Sequence, residues 1–275
     1  MINFKIECNT IILEITTFLL HLMTKFISFN YSLNSLLKNK EKYFIINFNE
    51  KKIKILVNNE SKLWVKNYKS NWLNKSEKER NRLNLNISSE SFFVIFYFFK
   101  FILPDVLEMY EFLNVKKKMG LKILNIGAGL GFFEVFISQL FDDYNFKFYL
   151  IEQTTQKPSE NGNNSIITLH PLKYLNSYLK KNNLRNFYSF SPDEKNKFAN
   201  INFDIVFSFR SWGFLYDLSE YSSFIKNNLD KEGFVITDLI KESIEKFRCM
   251  FLMSDEISNK AGNNFRFIGK HIITK

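Results

Sequence analysis

Apolar and polar segments alternate regularly along the chain from about residue 120 onward. Apolar runs typical of buried strands, such as "KILNIGA", "FKFYLIE", "FDIVFSF" and "GFVITDLI", are separated by amphipathic segments, among them "FFEVFISQLF", "PLKYLNSYLKKN" and "ESIEKFRCMFLM". Strands alternating with helices predict an α/β fold with a parallel sheet covered on both faces. The last apolar run, "FRFIGKHIITK", has no helix after it and can enter the sheet as an antiparallel strand.

The first part of the chain has a different pattern. Apolar residues recur at helical spacing from Ile12 to Phe26, which predicts a helix with one buried stripe. The stretch "YFIINFNEKKIKILVNN" predicts a hairpin, and Pro104 is expected to end or kink the apolar element "FFVIFYFFKFILP". The sequence therefore predicts a partly helical accessory region, residues 1–117, before a second domain, residues 118–275.

The charge of the chain suggests an anionic partner, but its distribution weakens that suggestion. The formal net charge is +10 and the pI about 9.3. The basic excess is spread over the whole chain together with abundant Asn, Ile and Phe, a bias that codon usage rich in A and T also produces. We therefore expect no nucleic-acid partner from charge alone.

Cysteine usage and hydropathy bear on the setting of the protein. Cys8 and Cys249 are far apart and lack metal-ligand spacing, which favours a reducing compartment over a disulfide framework or a zinc site. The two most apolar stretches, residues 8–29 and 92–104, are interrupted by charged side chains such as Glu14 and Lys100. The expectation is a cytoplasmic protein without a transmembrane segment.

Three glycines lie between the first strand and the first helix of the predicted second domain. Gly127, Gly129 and Gly131 form a Gly-x-Gly-x-Gly turn, where a Cβ would hinder left-handed backbone angles and close approach of a ligand. The dinucleotide fingerprint requires Gly or Ala at position 132, which is Phe132, and the Lys-Ser/Thr of a phosphate loop is missing. The spacing favours an adenosyl ligand without phosphates.

An acidic residue ends the second predicted strand. Glu152 follows Gly131 by about 20 residues, the separation at which a carboxylate accepts hydrogen bonds from ribose hydroxyls. Glycines and acid in this order form a more specific constellation than either alone.

The segments "ILNIGAGLGFFE" and "YLIE" resemble motifs I and II of the class I S-adenosylmethionine-dependent methyltransferases. Residues 203–239 are similar to the fourth strand, helix and fifth strand of that fold, and "SFRSWGFLY" most resembles the sugar O-methyltransferases. The resemblance covers about residues 120–275. It implies a doubly wound, mostly parallel seven-stranded sheet and S-adenosylmethionine as the cofactor.

The resemblance also implies a set of cofactor-binding residues: Asn125, Gly127, Gly129, Gly131, Glu152, Ser191 and Asp193. Asn125 departs from the family, which usually has Asp or Glu at this position. Its amide can still accept a hydrogen bond, but it brings no negative charge. Ser191 and Asp193 lie at the position where proteins of this fold usually contact the adenine. A plain turn with Pro192 at its second position explains them equally well.

Acceptor-binding candidates follow the predicted fourth strand. Arg210 can pair with an acidic group or orient a sugar hydroxyl, Trp212 can stack on a sugar or on adenine, and Tyr216 follows them. Packing against a helix is an equally good interpretation of Trp212.

A hydroxyl acceptor must lose a proton, so a base is required. Asp238, at the end of a predicted strand, and His170 are the preferred candidates, and helix capping is the alternative role of Asp238. His21 is expected in an apolar core and His271 away from the site. The absence of a convincing His/Asp cluster predicts no required metal.

Three functions remain open at this point. The first is O-methylation of a sugar, nucleotide-sugar or other small molecule. The second is RNA methylation, disfavoured because the Asn/Asp-Pro-Pro-Tyr of amino-methylating enzymes is replaced by "SFRSW". The third is an inactive adenosyl-binding interaction module, which Asn125 keeps open. The acceptor, the oligomeric state, with a homo-oligomer among the options, and the role of residues 1–117 are not determined by the sequence.

Overall fold

The described strands of the protein form a two-stranded sheet and a seven-stranded sheet. The computed structural model describes residues 43–48, 51–65, 94, 97–116, 118–153, 172–260 and 264–272. The chain divides into two units: Met1–Asn114, Phe132–Leu140 and Pro158–Thr168 form the first, and Val115–Gly131, Phe141–Lys157 and Leu169–Lys275 the second. The division into independent domains at residue 117 stays a prediction. The predicted helix between Ile12 and Phe26 lies outside the described residues.

The first unit contains the hairpin that the sequence predicts. Strands β1 (Tyr43–Phe48) and β2 (Lys51–Leu56) pair antiparallel, and Ile46 opposite Ile53 is buried. A short helix at residues 59–65 follows. Asn58 starts it by exchanging hydrogen bonds with Ser61, which satisfies backbone N–H groups that lack partners at a helix start.

Two longer helical segments also belong to the first unit for most of their length. A π-helical turn, Phe98–Ile102, leads directly into α1 (Leu103–Lys116), so the helix continues through Pro104 and does not end there. Proline lacks the backbone N–H that a helix interior uses, and the irregular turn lies directly before it. Helix α2 (Phe132–Leu140) is held to β2 by Gln139, whose side chain accepts from the Lys54 backbone N–H and donates to its carbonyl, both at 2.8 Å.

The second unit contains the mostly parallel seven-stranded sheet. Its strands are β3 (Lys122–Ile126), β4 (Lys147–Ile151), β5 (Phe187–Phe190), β6 (Phe203–Ser208), β7 (Leu229–Ile240), β8 (Phe251–Lys260) and β9 (Asn264–Ile272), in the spatial order β5-β4-β3-β6-β7-β9-β8. Strands β3 to β7 pair parallel, and β9 runs antiparallel between β7 and β8. The predicted α/β fold, its seven-stranded sheet and the antiparallel final strand are confirmed.

Within the described part of this unit, three α-helices and three 3-10 helices connect the strands. They are α3 (Leu172–Lys181), α4 (Ser219–Asn228), α5 (Ile244–Arg248) and the 3-10 segments Asp142–Tyr144, Pro192–Phe198 and Lys241–Ser243. Helix α4 places Tyr221, Phe224 and Ile225 at i, i+3 and i+4 spacing, and these side chains pack into an apolar cluster on one face of the sheet. This packing fixes the strand ends at which the candidate site lies.

One predicted element is wrong. The amphipathic segment "ESIEKFRCMFLM" is not a single helix, because α5 ends at Arg248 and β8 begins at Phe251. Among the described strands, β8 is an edge strand that pairs with β9 alone, and its Leu252 is 71% exposed. An edge strand with exposed apolar residues lacks the alternation that marks a half-buried strand, so its pattern resembles the end of a helix.

Candidate functional site

The loop between β3 and α2 has a backbone that requires glycine. Gly127, Gly129 and Gly131 have φ angles of 80°, 60° and 83°, in the left-handed region. A Cβ on Gly127 would lie 2.3 Å from Ser211 Oγ, and one on Gly131 would lie 2.5 Å from Leu179 Cδ2. The dihedral angle therefore disfavours larger residues at both positions, and at Gly127 the close approach of Ser211 adds to this effect.

The structure brings this loop and the predicted acidic residue together. The N–H groups of Gly127 and Ala128 donate to the Ile151 carbonyl at 2.8 and 3.2 Å. The N–H of Gly129 donates to Glu152 Oε2 at 2.6 Å, and the other carboxylate oxygen accepts from the Gln153 N–H at 2.8 Å. Glu152 is buried, so a negative charge is fixed directly against the glycine loop.

This charge decides which ligands suit the loop. In loops that bind phosphate, backbone N–H groups point at the anion. Here the Gly129 N–H points at the Glu152 carboxylate instead, and that carboxylate repels a second anion nearby. Each carboxylate oxygen has two acceptor positions, so Glu152 can still accept from a ligand hydroxyl. The arrangement favours a neutral or cationic ligand that carries hydroxyl groups.

Gln153 adds an acceptor that the sequence analysis did not identify. Its Nε2 donates to the Tyr216 hydroxyl at 2.6 Å, while its Oε1 is buried and has no hydrogen-bond partner among the described residues. A buried amide oxygen without a partner is unfavourable, and a ligand N–H or O–H would satisfy it. The signal in the sequence was its position directly after Glu152.

Tyr216 is a neutral hydrogen-bonding group at this edge of the sheet. Burial raises the pKa of Tyr216 to about 12, and the negative charge of Glu152 acts in the same direction. The phenol therefore keeps its proton through the neutral pH range and cannot act as a phenolate base.

Asn125, Ser191 and Asp193 have different surroundings. Asn125 is buried in β3, opposite Leu150 of β4 and Phe207 of β6. Ser191 starts the 3-10 helix after β5 and forms a capping box with Glu194, so its hydroxyl has the role in a turn that the sequence also allowed. Asp193 is exposed. A contact of these three residues with a cofactor stays a prediction.

The predicted stacking role of Trp212 is wrong. Its side chain is fully buried in the apolar cluster under the sheet, and its indole N–H donates to the Leu218 carbonyl at 2.9 Å. The ring therefore packs inside the protein, where it meets neither a sugar nor an adenine. The alternative interpretation as a packing residue is correct.

The predicted role of Asp238 as a base is also wrong. Asp238 is 2% exposed, and its two oxygens accept from Arg266 Nε and Nη2 at 2.7 and 3.0 Å. Both oxygens of this almost fully enclosed carboxylate are occupied by donors of the protein itself, so it is not presented to an acceptor hydroxyl. Arg266 was missed because only its place in the apolar run "FRFIG" hinted at a buried charge.

Arg210 lies beside this ion pair. It has a φ of 58°, is half-buried, and donates its backbone N–H to Asp238 Oδ2 at 3.1 Å. His21 and His170 lie outside the described residues. His271 is exposed near the end of β9, which runs antiparallel and so ends at the opposite edge of the sheet from the glycine loop.

Other features of the described residues do not add to this site. No group of three or more His, Cys, Asp and Glu side chains within the described ranges could hold a metal ion. A cleft of about 530 Å³ lies at the end of α3, and Lys180 and Arg185 line it together with Phe187; none of its lining residues belongs to the glycine loop. Across the same ranges, none of the helices has the length and apolar character needed to cross a bilayer.

Comparisons with known proteins give similarity in structure only. No family model matches the chain, and no curated protein matches it. A precorrin-6y C5,15-methyltransferase from Geobacter metallireducens is similar at 17% identity over 58% of this chain and 84% of that chain, with a TM-score of 0.41. An rRNA methylase from Streptococcus thermophilus is similar at 9% identity over 57% and 89%, with a TM-score of 0.38. MtNAS, in its complex with MTA and tNA, is similar at 14% identity over 76% and 70%, with a TM-score of 0.42.

Proposed function

We propose that the protein is an S-adenosylmethionine-dependent methyltransferase. The observation that carries this proposal is the hydrogen bond of 2.6 Å from the Gly129 N–H to Glu152. This hydrogen bond joins the glycine loop to a buried carboxylate that repels phosphate and can accept hydrogen bonds from ribose hydroxyls. The seven-stranded sheet with an antiparallel final strand is the fold implied by the resemblance to class I methyltransferases.

The residues of the site fit such a cofactor. Glu152 would accept from the ribose hydroxyls, and Gln153 Oε1 would accept from a cofactor N–H or O–H. The negative charge of Glu152 also favours a cationic ligand. When bound, S-adenosylmethionine supplies a methyl group activated by its positively charged sulfur. Gly127 and Gly131 contribute left-handed backbone angles that turn the chain from β3 into α2.

We propose a hydroxyl of a sugar, a nucleotide-sugar or another small molecule as the acceptor. The proposal rests on the resemblance of "SFRSWGFLY" to sugar O-methyltransferases and on the position of Arg210 and Tyr216 after β6. Tyr216 stays neutral and can donate a hydrogen bond, while Arg210 brings a positive charge. His170 stays the candidate base after the correction of Asp238. A cytoplasmic setting is part of the proposal.

One alternative gains support from a specific observation. The ion pair between Asp238 and Arg266 removes the preferred base, and Asn125 stands where the family usually has an acid. Both features suit a protein that binds an adenosyl ligand without transferring a methyl group. The proposed enzyme and this interaction module differ in turnover rather than in cofactor binding.

Methyl transfer from labelled S-adenosylmethionine tests the proposal. The purified protein and its Gly129→Val variant are incubated with a panel of nucleotide-sugars and, separately, with bulk RNA. We expect label in the nucleotide-sugar fraction from the unchanged protein only, because valine is strained at a φ of 60° and disrupts the loop. Label in RNA alone overturns the proposed acceptor, and cofactor binding without transfer to either supports the interaction module.

A further inference from the structure

The turn that follows β6 holds a residue in an unusual conformation. Arg210 has a φ of 58°, a left-handed angle that costs about 1–2 kcal/mol in a residue with a Cβ. Such conformations persist only where surrounding contacts hold them, and they concentrate at functional sites. The contacts around this turn therefore show which residues hold Arg210 in this conformation.

Arg266 of β9 holds the turn from two sides. Through its pair with Asp238 it fixes the carboxylate that accepts the Arg210 N–H at 3.1 Å. Its guanidinium carbon also lies 3.9 Å from the centre of the Phe209 ring, within the range of a cation–π contact. One buried side chain, distant in sequence, thus contacts the residue before Arg210 and the acceptor of its amide.

The remainder of the turn is fixed to neighbouring strands. Thr237 Oγ1 donates to the Trp212 carbonyl at 2.7 Å. Ser208 Oγ accepts from the Trp212 N–H and donates to the Ile126 carbonyl, each at 2.8 Å. Because Ile126 directly precedes the glycine loop, the turn has a defined position relative to the cofactor side of the site.

We propose that Arg266 and Asp238 are positioning residues for recognition of the acceptor. Their ion pair holds Arg210 in its left-handed conformation and so sets the direction in which its side chain meets the acceptor. A buried ion pair is weak evidence for stability, since apolar residues of similar size are often as stabilising, and a role in positioning explains its presence. The part that concerns the acceptor rests on the proposed methyltransferase function.

The test compares Asp238→Asn and Arg266→Lys with a matched control, Asp204→Asn. Lysine keeps the charge of Arg266 but loses its planar, two-pronged geometry. Asp204 is also buried and accepts the Lys122 N–H at 2.9 Å and the Lys118 ammonium group, but it lies at the opposite end of β6. All variants are compared at equal distance from their own unfolding midpoints, so that loss of global stability does not enter the comparison.

Three quantities are measured: amide hydrogen exchange over residues 208–214, the Kd for S-adenosylhomocysteine, and kcat/KM for the nucleotide-sugar that the panel identifies. In both Asp238→Asn and Arg266→Lys we expect the exchange rate to rise by about tenfold or more and kcat/KM to fall by about tenfold or more. The reason is the loss of a hydrogen bond to a charged group. The Kd should change less than kcat/KM, because the hydrogen bonds of the pair run to each other and to Arg210 and reach the glycine loop only through the turn. Asp204→Asn should change none of the three.

Several results would overturn the inference. Exchange that rises no more in Asp238→Asn than in Asp204→Asn shows that the pair does not hold the turn. Faster exchange with unchanged kcat/KM shows that the turn has no part in recognition. If the unchanged protein binds no S-adenosylhomocysteine, the proposed function and the acceptor part of the inference fail together, while the exchange comparison still decides whether the pair holds the turn.

Discussion

The backbone of Gly127 lies directly against the side chain of Ser211. A Cβ at Gly127 would be 2.3 Å from Ser211 Oγ and 2.4 Å from Ser211 Cβ, closer than real atoms approach. Gly127 follows β3 and Ser211 follows β6, and these two strands are neighbours in the sheet. The loop proposed to hold the cofactor and the turn proposed to meet the acceptor therefore share a tight contact.

Gly127→Ala should destabilise the protein more than the same change at Gly120. Gly120 has a φ of 68° and open space around it, so Gly120→Ala measures the cost of the dihedral angle alone, about 1–2 kcal/mol. Gly127→Ala adds the collision with Ser211, and a second change, Ser211→Gly, should recover part of the difference. Urea unfolding of the four proteins checks this. Equal losses at both glycines would show that the contact with Ser211 yields easily.

Tyr216 should make the protein sensitive to alkaline pH. Its pKa is raised to about 12, so above about pH 10 the unfolded chain loses this proton before the folded protein does. The contribution to stability is complete below the ordinary tyrosine pKa and is lost as pH rises toward 12. The free energy of unfolding should therefore fall more steeply between about pH 10 and 11 in the unchanged protein than in Tyr216→Phe, by at most about 1.4 kcal/mol per pH unit. Parallel pH curves would contradict burial of this hydroxyl.

Asp217 should give a contribution of the opposite sign in acid. The Ser219 backbone N–H at the start of α4, and then Lys246, lower the pKa of Asp217 to about 2. The stabilisation is present above about pH 4 and is lost as pH falls toward 2. The difference in unfolding free energy between the unchanged protein and Asp217→Asn should shrink over that interval. Lys246→Met serves as the control, because it removes only the exposed ion pair and leaves the hydrogen bond from the Ser219 N–H to Asp217 in place.

Two patterns in the sequence identify most elements of the second unit. A continuous apolar run marks a strand that is buried on both faces, such as β6, and apolar residues at helical spacing mark α4. Strand β8 was not recognised because it is an edge strand whose Leu252 and Met253 face solvent. Local pattern does not contain the information that this segment pairs with β9.

The candidate site likewise contains residues whose contacts local pattern predicts and residues whose contacts it does not. The spacing of Gly129 and Glu152 follows from one strand-helix-strand unit, so the sequence can anticipate their meeting. The partner of Asp238 is 28 residues away on an antiparallel strand, and no local pattern selects Arg266 among the cations of the chain. Burial of Trp212 depends likewise on α4 and β7 meeting beneath it, which is a property of the assembled sheet.

Calorimetric titration with S-adenosylhomocysteine, on the unchanged protein and on Glu152→Gln, tests the central claim most directly. Glutamine keeps the size of the side chain but removes the charge and one acceptor, and Asp204→Asn controls for loss of a buried carboxylate elsewhere. The account predicts binding by the unchanged protein and by Asp204→Asn, with affinity at least about tenfold weaker in Glu152→Gln. Absence of binding, or equal affinity in Glu152→Gln, would contradict it.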